Sequence, residues 1–145
     1  QLDRSFSDSL PPEMKVQFRA KLIDACIDLM GMIDNNTFNN KILREKIASL
    51  MSVHENISFG QAQKVINVVM KQYCFILGKS NLFEELDCPL DSTTMGHKNT
   101  IRDLTMQEYM QYQEDFKDKY GLRILADYVY DNQRLNKFLS INSGN

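Results

Sequence analysis

The run ISFGQAQKVINVVMKQYCFILGKS, Ile57 to Ser80, constrains the fold more than any other stretch. It opens with Ser58-Phe59-Gly60-Gln61, which fits a capping box: a serine hydroxyl serves the helix start and a glutamine reaches back to it. At helical periodicity Phe59, Ala62, Val65, Ile66, Val69, Met70, Tyr73, Ile76 and Leu77 gather on one side. Gln61, Lys64, Asn67 and Lys71 gather on the other. Val68 and Phe75 interrupt that polar side, which predicts partial cover by another element. Gly78 is a natural stop. A helix with so broad an apolar side must lay it on a core, and the remaining segments have to supply that core.

They read as further helices. Pro11 and Pro12 suit a first helical turn, where a missing N–H costs nothing. From Met14 the residues Phe18, Leu22, Ala25, Cys26, Leu29 and Ile33 recur at helical spacing, up to a turn at Asn35-Asn36. Thr37 is the expected cap of a second helix with the stripe Phe38, Ile42, Ile47 and Leu50 or Met51. Lys41, Arg44, Glu45 and Lys46 fall on its wet side. Asn81 opens one short turn, and the stretch from Asp87 to Thr100 is loop-like. Thr105-Met106-Gln107-Glu108 is a second capping box, followed by Tyr109, Tyr112 or Gln113, and Phe116 at helical spacing. After Gly121, the residues Leu122, Leu125, Val129 and Leu135 carry a helical pattern to about Phe138. No repeat and no strand-like alternation is present. The expected fold is all-α: one compact domain over residues 1–145, built of five or six packed helices and able to hold a helix-hairpin-helix-like element. Flexible ends are expected over 1–9 and 139–145.

Charge and cysteine usage narrow the partners. The net charge is -2, so no broad phosphate-binding surface is expected, although a local basic stripe fits. Cys26, Cys74 and Cys88 are odd in number and form no CxxC pair, which points to reduced thiols and a cytoplasmic location. His54 and His97 each stand alone, so neither a metal nor a cofactor is expected. No apolar run approaches the ~18 residues that a membrane span needs, and no basic-then-apolar leader opens the chain, which begins at Gln1. No membrane partner is expected.

One constellation can carry chemistry. Lys64 and Lys71 lie two turns apart with Asn67 between them, and Gly60 marks the same helix start. Compact ammonium charge, directional amides and free helix N–H groups suit phosphates, so Gly60, Gln61, Lys64, Asn67 and Lys71 form the candidate nucleic-acid-binding set. The competing reading is the solvated side of an amphipathic helix. Downstream, the loop CPLDS places Asp91 beside Cys88 and Pro89. Cys88 has no histidine placed by sequence to activate it, and turn roles account for Asp87 and Asp91. The aromatic residues from Tyr109 to Phe138 are interspersed with aspartates, which favours packing over base stacking.

The string GQAQKVINVVM followed by CPLDS resembles a family of small bacterial proteins that carry G-x-A-Q-K-x-I-N and then P-L-D-S; that family brings no established activity. The same residues more remotely resemble helix-hairpin-helix DNA glycosylases. That resemblance implies Lys64 as an amine attacking a sugar C1′ and Asp91 as the carboxylate that stabilises charge or moves protons. The chain differs in carrying Ala62 where such hairpins have a second glycine, and in its longer Lys-to-Asp spacing. Two functions follow as expectations: a nucleic-acid-associated module, or a non-enzymatic helical protein-interaction or homo-oligomerisation module.

Overall fold

The structure is a computed structural model and describes residues 10–142. The segments 1–9 and 143–145, where flexible ends are expected, lie outside the described residues. The chain folds into an all-α domain. Its helices are α1 (Pro12–Asp34), α2 (Asn40–Leu50), α3 (Phe59–Ile76), α4 (Met106–Tyr120) and α5 (Leu125–Asn142). Short 3-10 turns occupy Met51–Val53 and Ser80–Glu85. α1, α2 and α3 pack on one another; α4 packs on α3, and α5 packs on α4 and also meets α3 through Lys71–Asp127 and Phe75–Tyr128. α5 runs on to Asn142, so residues 139–142, where a frayed end is expected, are helical.

Local chemistry sets the helix boundaries. Pro12 stands in the first turn of α1. Both capping boxes form as read: the Ser58 hydroxyl accepts from the Gln61 N–H, and the Thr105 hydroxyl accepts from the Glu108 N–H. Gly121 ends α4 with φ 85° and Gly78 follows α3 with φ 65°, a left-handed backbone that favours glycine. The cap of α2 is Asn39 instead of Thr37: its side chain accepts from the Ile42 N–H at 3.0 Å. Asparagine is the stronger cap, and Thr37 instead donates its hydroxyl to the Met32 carbonyl.

The core is contributed by every helix and by the loop between α3 and α4. Leu29 and Ile33, Leu43 and Ile47, Ile66 and Met70, Leu86 and Leu90, and Tyr109 are all fully buried. The expected stripe of α1 is buried apart from the half-buried Cys26. In α2 the buried row is Leu43, Ile47 and Leu50, while Met51 is exposed. In α3 the buried face is rotated from the expected one: Gln61, Gln63, Asn67 and Cys74 are inside, and Ile76 and Leu77 are exposed. The reason is that α3 is packed on two sides. α1 and α2 take the apolar stripe, and the 87–104 loop with α4 covers the polar one.

Candidate functional site

The polar side of α3 meets the loop that follows Asp87. Lys64 Nζ donates to Asp91 Oδ2 at 3.0 Å, so the two candidate catalytic residues do come together. Their side chains keep 25% and 17% of their surface exposed. Asp91 is also a local cap: its Oδ1 accepts from the Thr94 N–H at 2.9 Å, and the Thr94 hydroxyl accepts from the Asp91 N–H at 2.8 Å. Burial raises the Asp91 pKa, but the Thr94 N–H and the Lys64 ammonium outweigh it and hold this carboxyl below its ordinary value. Asp91 therefore stays ionised at neutral pH. Nucleophilic attack by lysine needs an open approach to its nitrogen, and here the Lys64 nitrogen is engaged with Asp91.

The other members of the set are placed differently. Lys71 pairs with Asp127 at the start of α5 and lies 5.8 Å from the Tyr128 ring centroid. Asn67 is buried; its amide donates to Tyr109 Oη at 2.9 Å and to Gln63 Oε1 at 3.2 Å. Its Oδ1 is the buried side-chain oxygen without a hydrogen-bond partner among the described residues. Gln61 is buried in its capping box. Gly60 is also buried, for a steric reason. A Cβ there would stand 1.7 Å from the Ile101 carbonyl oxygen and 3.2 Å from the Leu104 Cβ. The close approach that this glycine permits is that of the chain's own backbone.

Two glutamines complete the arrangement. Gln63 donates to the Leu90 carbonyl at 2.8 Å and accepts from the Leu90 N–H at 3.0 Å. Gln113 on α4 treats Cys88 the same way, donating to its carbonyl and accepting from its N–H, both at 2.8 Å. Each side-chain amide thus closes a two-bond ring with one loop residue, as a neighbouring strand would. Asp87, fully buried, anchors the near end. Arg44 and Arg123 lie within 2.9 Å of its carboxylate, Asn40 donates to it at 2.8 Å, and Tyr109 Oη donates at 2.6 Å. The segment CPLD is therefore held from both sides: Asp87 and Asp91 by charge, Cys88 and Leu90 by amide rings.

Sequence reasoning misses most of this. Arg44, placed on the wet side of α2, turns to Asp87 and sits 5.8 Å from the Tyr109 ring centroid. Gln63, Asp87, Arg123 and Asp127 are not among the expected site residues. One signal was available: Val68 and Phe75 interrupt the polar side of α3, as they would on a side covered by another element. Asp87 and Asp91, for which turn roles are expected, each meet their own cations: Arg44 and Arg123 at Asp87, and Lys64 at Asp91. Cys88 is buried with its thiol against the Pro89 carbonyl, and burial pushes its pKa well up. His54 caps a turn, its Nδ1 accepting from the Asn56 N–H at 3.0 Å.

No cluster of side chains suited to a metal ion occurs among the described residues. No helix among them is long and apolar enough to cross a membrane. Comparison with protein-family models, with curated proteins and with solved structures returns no match.

Proposed function

We propose that this chain is a helical protein-interaction module and that the Gly60–Lys64–Asn67–Asp91 constellation is its internal brace. The observation that carries this reading is the engagement of that constellation within the fold. Gly60 seats a carbonyl, Gln61 closes a cap, Asn67 bonds Tyr109, and Lys71 bonds Asp127. None of those groups offers an open donor row to a phosphate. Large apolar side chains, in contrast, face outward. Val16, Ile23 and Ile27 are 57–65% exposed on the side of α1 away from its core stripe. Together with exposed Ala20 they form a second apolar row, an arrangement that suits contact with another protein.

A nucleic-acid-associated module is the second reading, and the 3.0 Å Lys64–Asp91 pair with its partial exposure supports it. Both readings are tested by binding of single- and double-stranded DNA at low salt, with Lys64→Ala and Lys71→Ala beside wild type, and by borohydride trapping on abasic-site DNA. The interaction-module reading expects no trapped adduct and no salt-dependent binding. A trapped adduct lost in Lys64→Ala would overturn it in favour of lysine chemistry. Binding without trapping, weakened in both variants, would favour a non-catalytic nucleic-acid module.

A further inference from the structure

The outer row of α1 has the spacing of a coiled-coil seam. Val16, Ala20, Ile23 and Ile27 follow one another at intervals of four, three and four, so they stay in line along the helix. All four are exposed, while Phe18, Leu22, Ala25 and Leu29 of the same helix are buried in the core. α1 therefore carries two apolar faces, of which the described residues cover one.

The row is complementary to itself when read backwards. In a second α1 laid antiparallel, Val16 stands level with the second copy's Ile27, and Ala20 with the second copy's Ile23. A smaller side chain then meets a larger one in every layer, as close packing of facing helices requires. A parallel copy would set Ala20 against Ala20 and leave a gap at that layer. Charge agrees with the antiparallel sense. On the helical wheel Lys21 and Asp24 lie on the same flank of the row, and both are exposed. The antiparallel pair brings Lys21 of each copy beside Asp24 of the other, two opposite-charge contacts related by symmetry. Nothing more is asked of the remaining charges on α1. Asp28 bonds Lys46 at 2.9 Å, and Lys15 and Arg19, on the other flank, interact within their own chain.

We propose that two copies of this chain associate through α1, antiparallel across a two-fold axis, with Ala20 and Ile23 at the centre of the contact. This inference rests on the interaction-module reading and names its partner. A contact made by one helix per chain belongs to the small end of interfaces, so the dimer should dissociate on dilution.

Sedimentation velocity over a concentration series tests it, with thermal melts confirming that each variant is folded. The mass of wild type should rise from 16.9 kDa toward twice that value as concentration increases. Ile23→Asp, at an exposed position, should hold the mass at that of one chain. Lys21→Glu and Asp24→Lys should each weaken association about tenfold, because each sets like charges together twice. An equimolar mixture of those two variants should associate as wild type does, since the antiparallel pairing then restores both opposite-charge contacts. Met110→Asp, on α4, should leave the dimer intact. A chain that is monomeric up to its solubility limit would overturn the inference. So would a dimer indifferent to Ile23→Asp, one abolished by Met110→Asp, or charge variants without effect or without rescue in the mixture, as a parallel or unrelated interface would give. None of those results touches the interaction-module reading, which stands or falls on the DNA experiments.

Discussion

The Tyr109 hydroxyl donates to the Asp87 carboxylate at 2.6 Å and accepts from the Asn67 amide at 2.9 Å. A single buried oxygen on α4 thus joins α3 to the near end of the clamped loop. Tyr109→Phe keeps the ring, which meets Phe59 edge-on at 5.0 Å, but removes both bonds. Leaving buried partners unsatisfied costs about 1–3 kcal/mol, which a urea unfolding curve resolves. A pH signature separates this from simple loss of packing. Burial, then the Asp87 charge, raises the Tyr109 pKa well above its ordinary value. The folded state therefore keeps this proton to higher pH than the unfolded chain, and stability falls as pH rises above about 10. Tyr109→Phe should make that alkaline decline shallower.

Asp87 is the charge on which two guanidinium groups converge. Asp87→Ala would leave Arg44 and Arg123 close together without the carboxylate they share. Removing one partner of a buried ion pair costs about 3–5 kcal/mol, so the variant should be strongly destabilised in urea. Arg44→Met, whose side chain retains 22% exposure and leaves Arg123 in place, should cost clearly less. Equal losses in the two variants would contradict the role of Asp87 as the shared anchor of both guanidinium groups.

The helices were legible in the sequence because caps and periodicity are local. Ser58 with Gln61 and Thr105 with Glu108 act within one turn, and both form as read. The pairing of Lys64 with Asp91 was legible too, through the motif that holds both. The rest was hidden, since it depends on which elements meet. Nothing local distinguishes Arg44, which reaches Asp87 across 43 positions, from the neighbouring Lys41, which stays exposed. Ile76 and Leu77 follow the apolar period of α3 yet are exposed, while their neighbours Cys74 and Phe75 are packed. Gln63 and Asn67 count as polar on any scale, yet Gln63 bonds Leu90 and the Asn67 N–H bonds Tyr109 in place of water, with Asn67 Oδ1 left unpartnered among the described residues.

The thiols should react in an order set by burial. Burial raises all three pKa values: Cys88 well up, Cys74 to about 11 despite the nearby Lys79, and the half-buried Cys26 upward as well. A thiol reagent acts on the thiolate and needs access. At neutral pH the native protein should label slowly at Cys26 alone, and Cys74 and Cys88 should label only on unfolding. Mass spectrometry of the labelled peptides reads this directly. Rapid labelling of Cys88 in the native state would mean that the clamped loop opens.

Gly60→Ala should destabilise, against the usual trend. In a helix interior alanine is favoured over glycine by about 1 kcal/mol. Here the added methyl would lie 1.7 Å from the Ile101 carbonyl oxygen, and that neighbour is backbone. The loop would have to move, and overpacking of this kind typically costs about 1–3 kcal/mol. Hydrogen exchange should show the loss concentrated in residues 99–104. A stabilised Gly60→Ala variant would show that the loop does not pack where it is placed.

The Lys64–Asp91 pair should reveal itself in acid. Because the folded Asp91 carboxyl sits below its ordinary pKa, the folded state binds this proton less readily than the unfolded chain. Its contribution is complete above the unfolded value, about 3.9, and is lost as pH falls through the folded one. Lys64→Met removes the ion pair and leaves the Thr94 cap. Both partners keep some exposure, so the cost at neutral pH should be about 1 kcal/mol or less. The difference between wild type and variant should shrink as pH falls below about 3.9, where the carboxyl becomes protonated in the unfolded chain first and then in the folded one. Urea midpoints measured from neutral pH into acid supply the test. A difference that persists at full size in acid would mean that Lys64 contributes by packing its alkyl stem and that the charge pair contributes nothing.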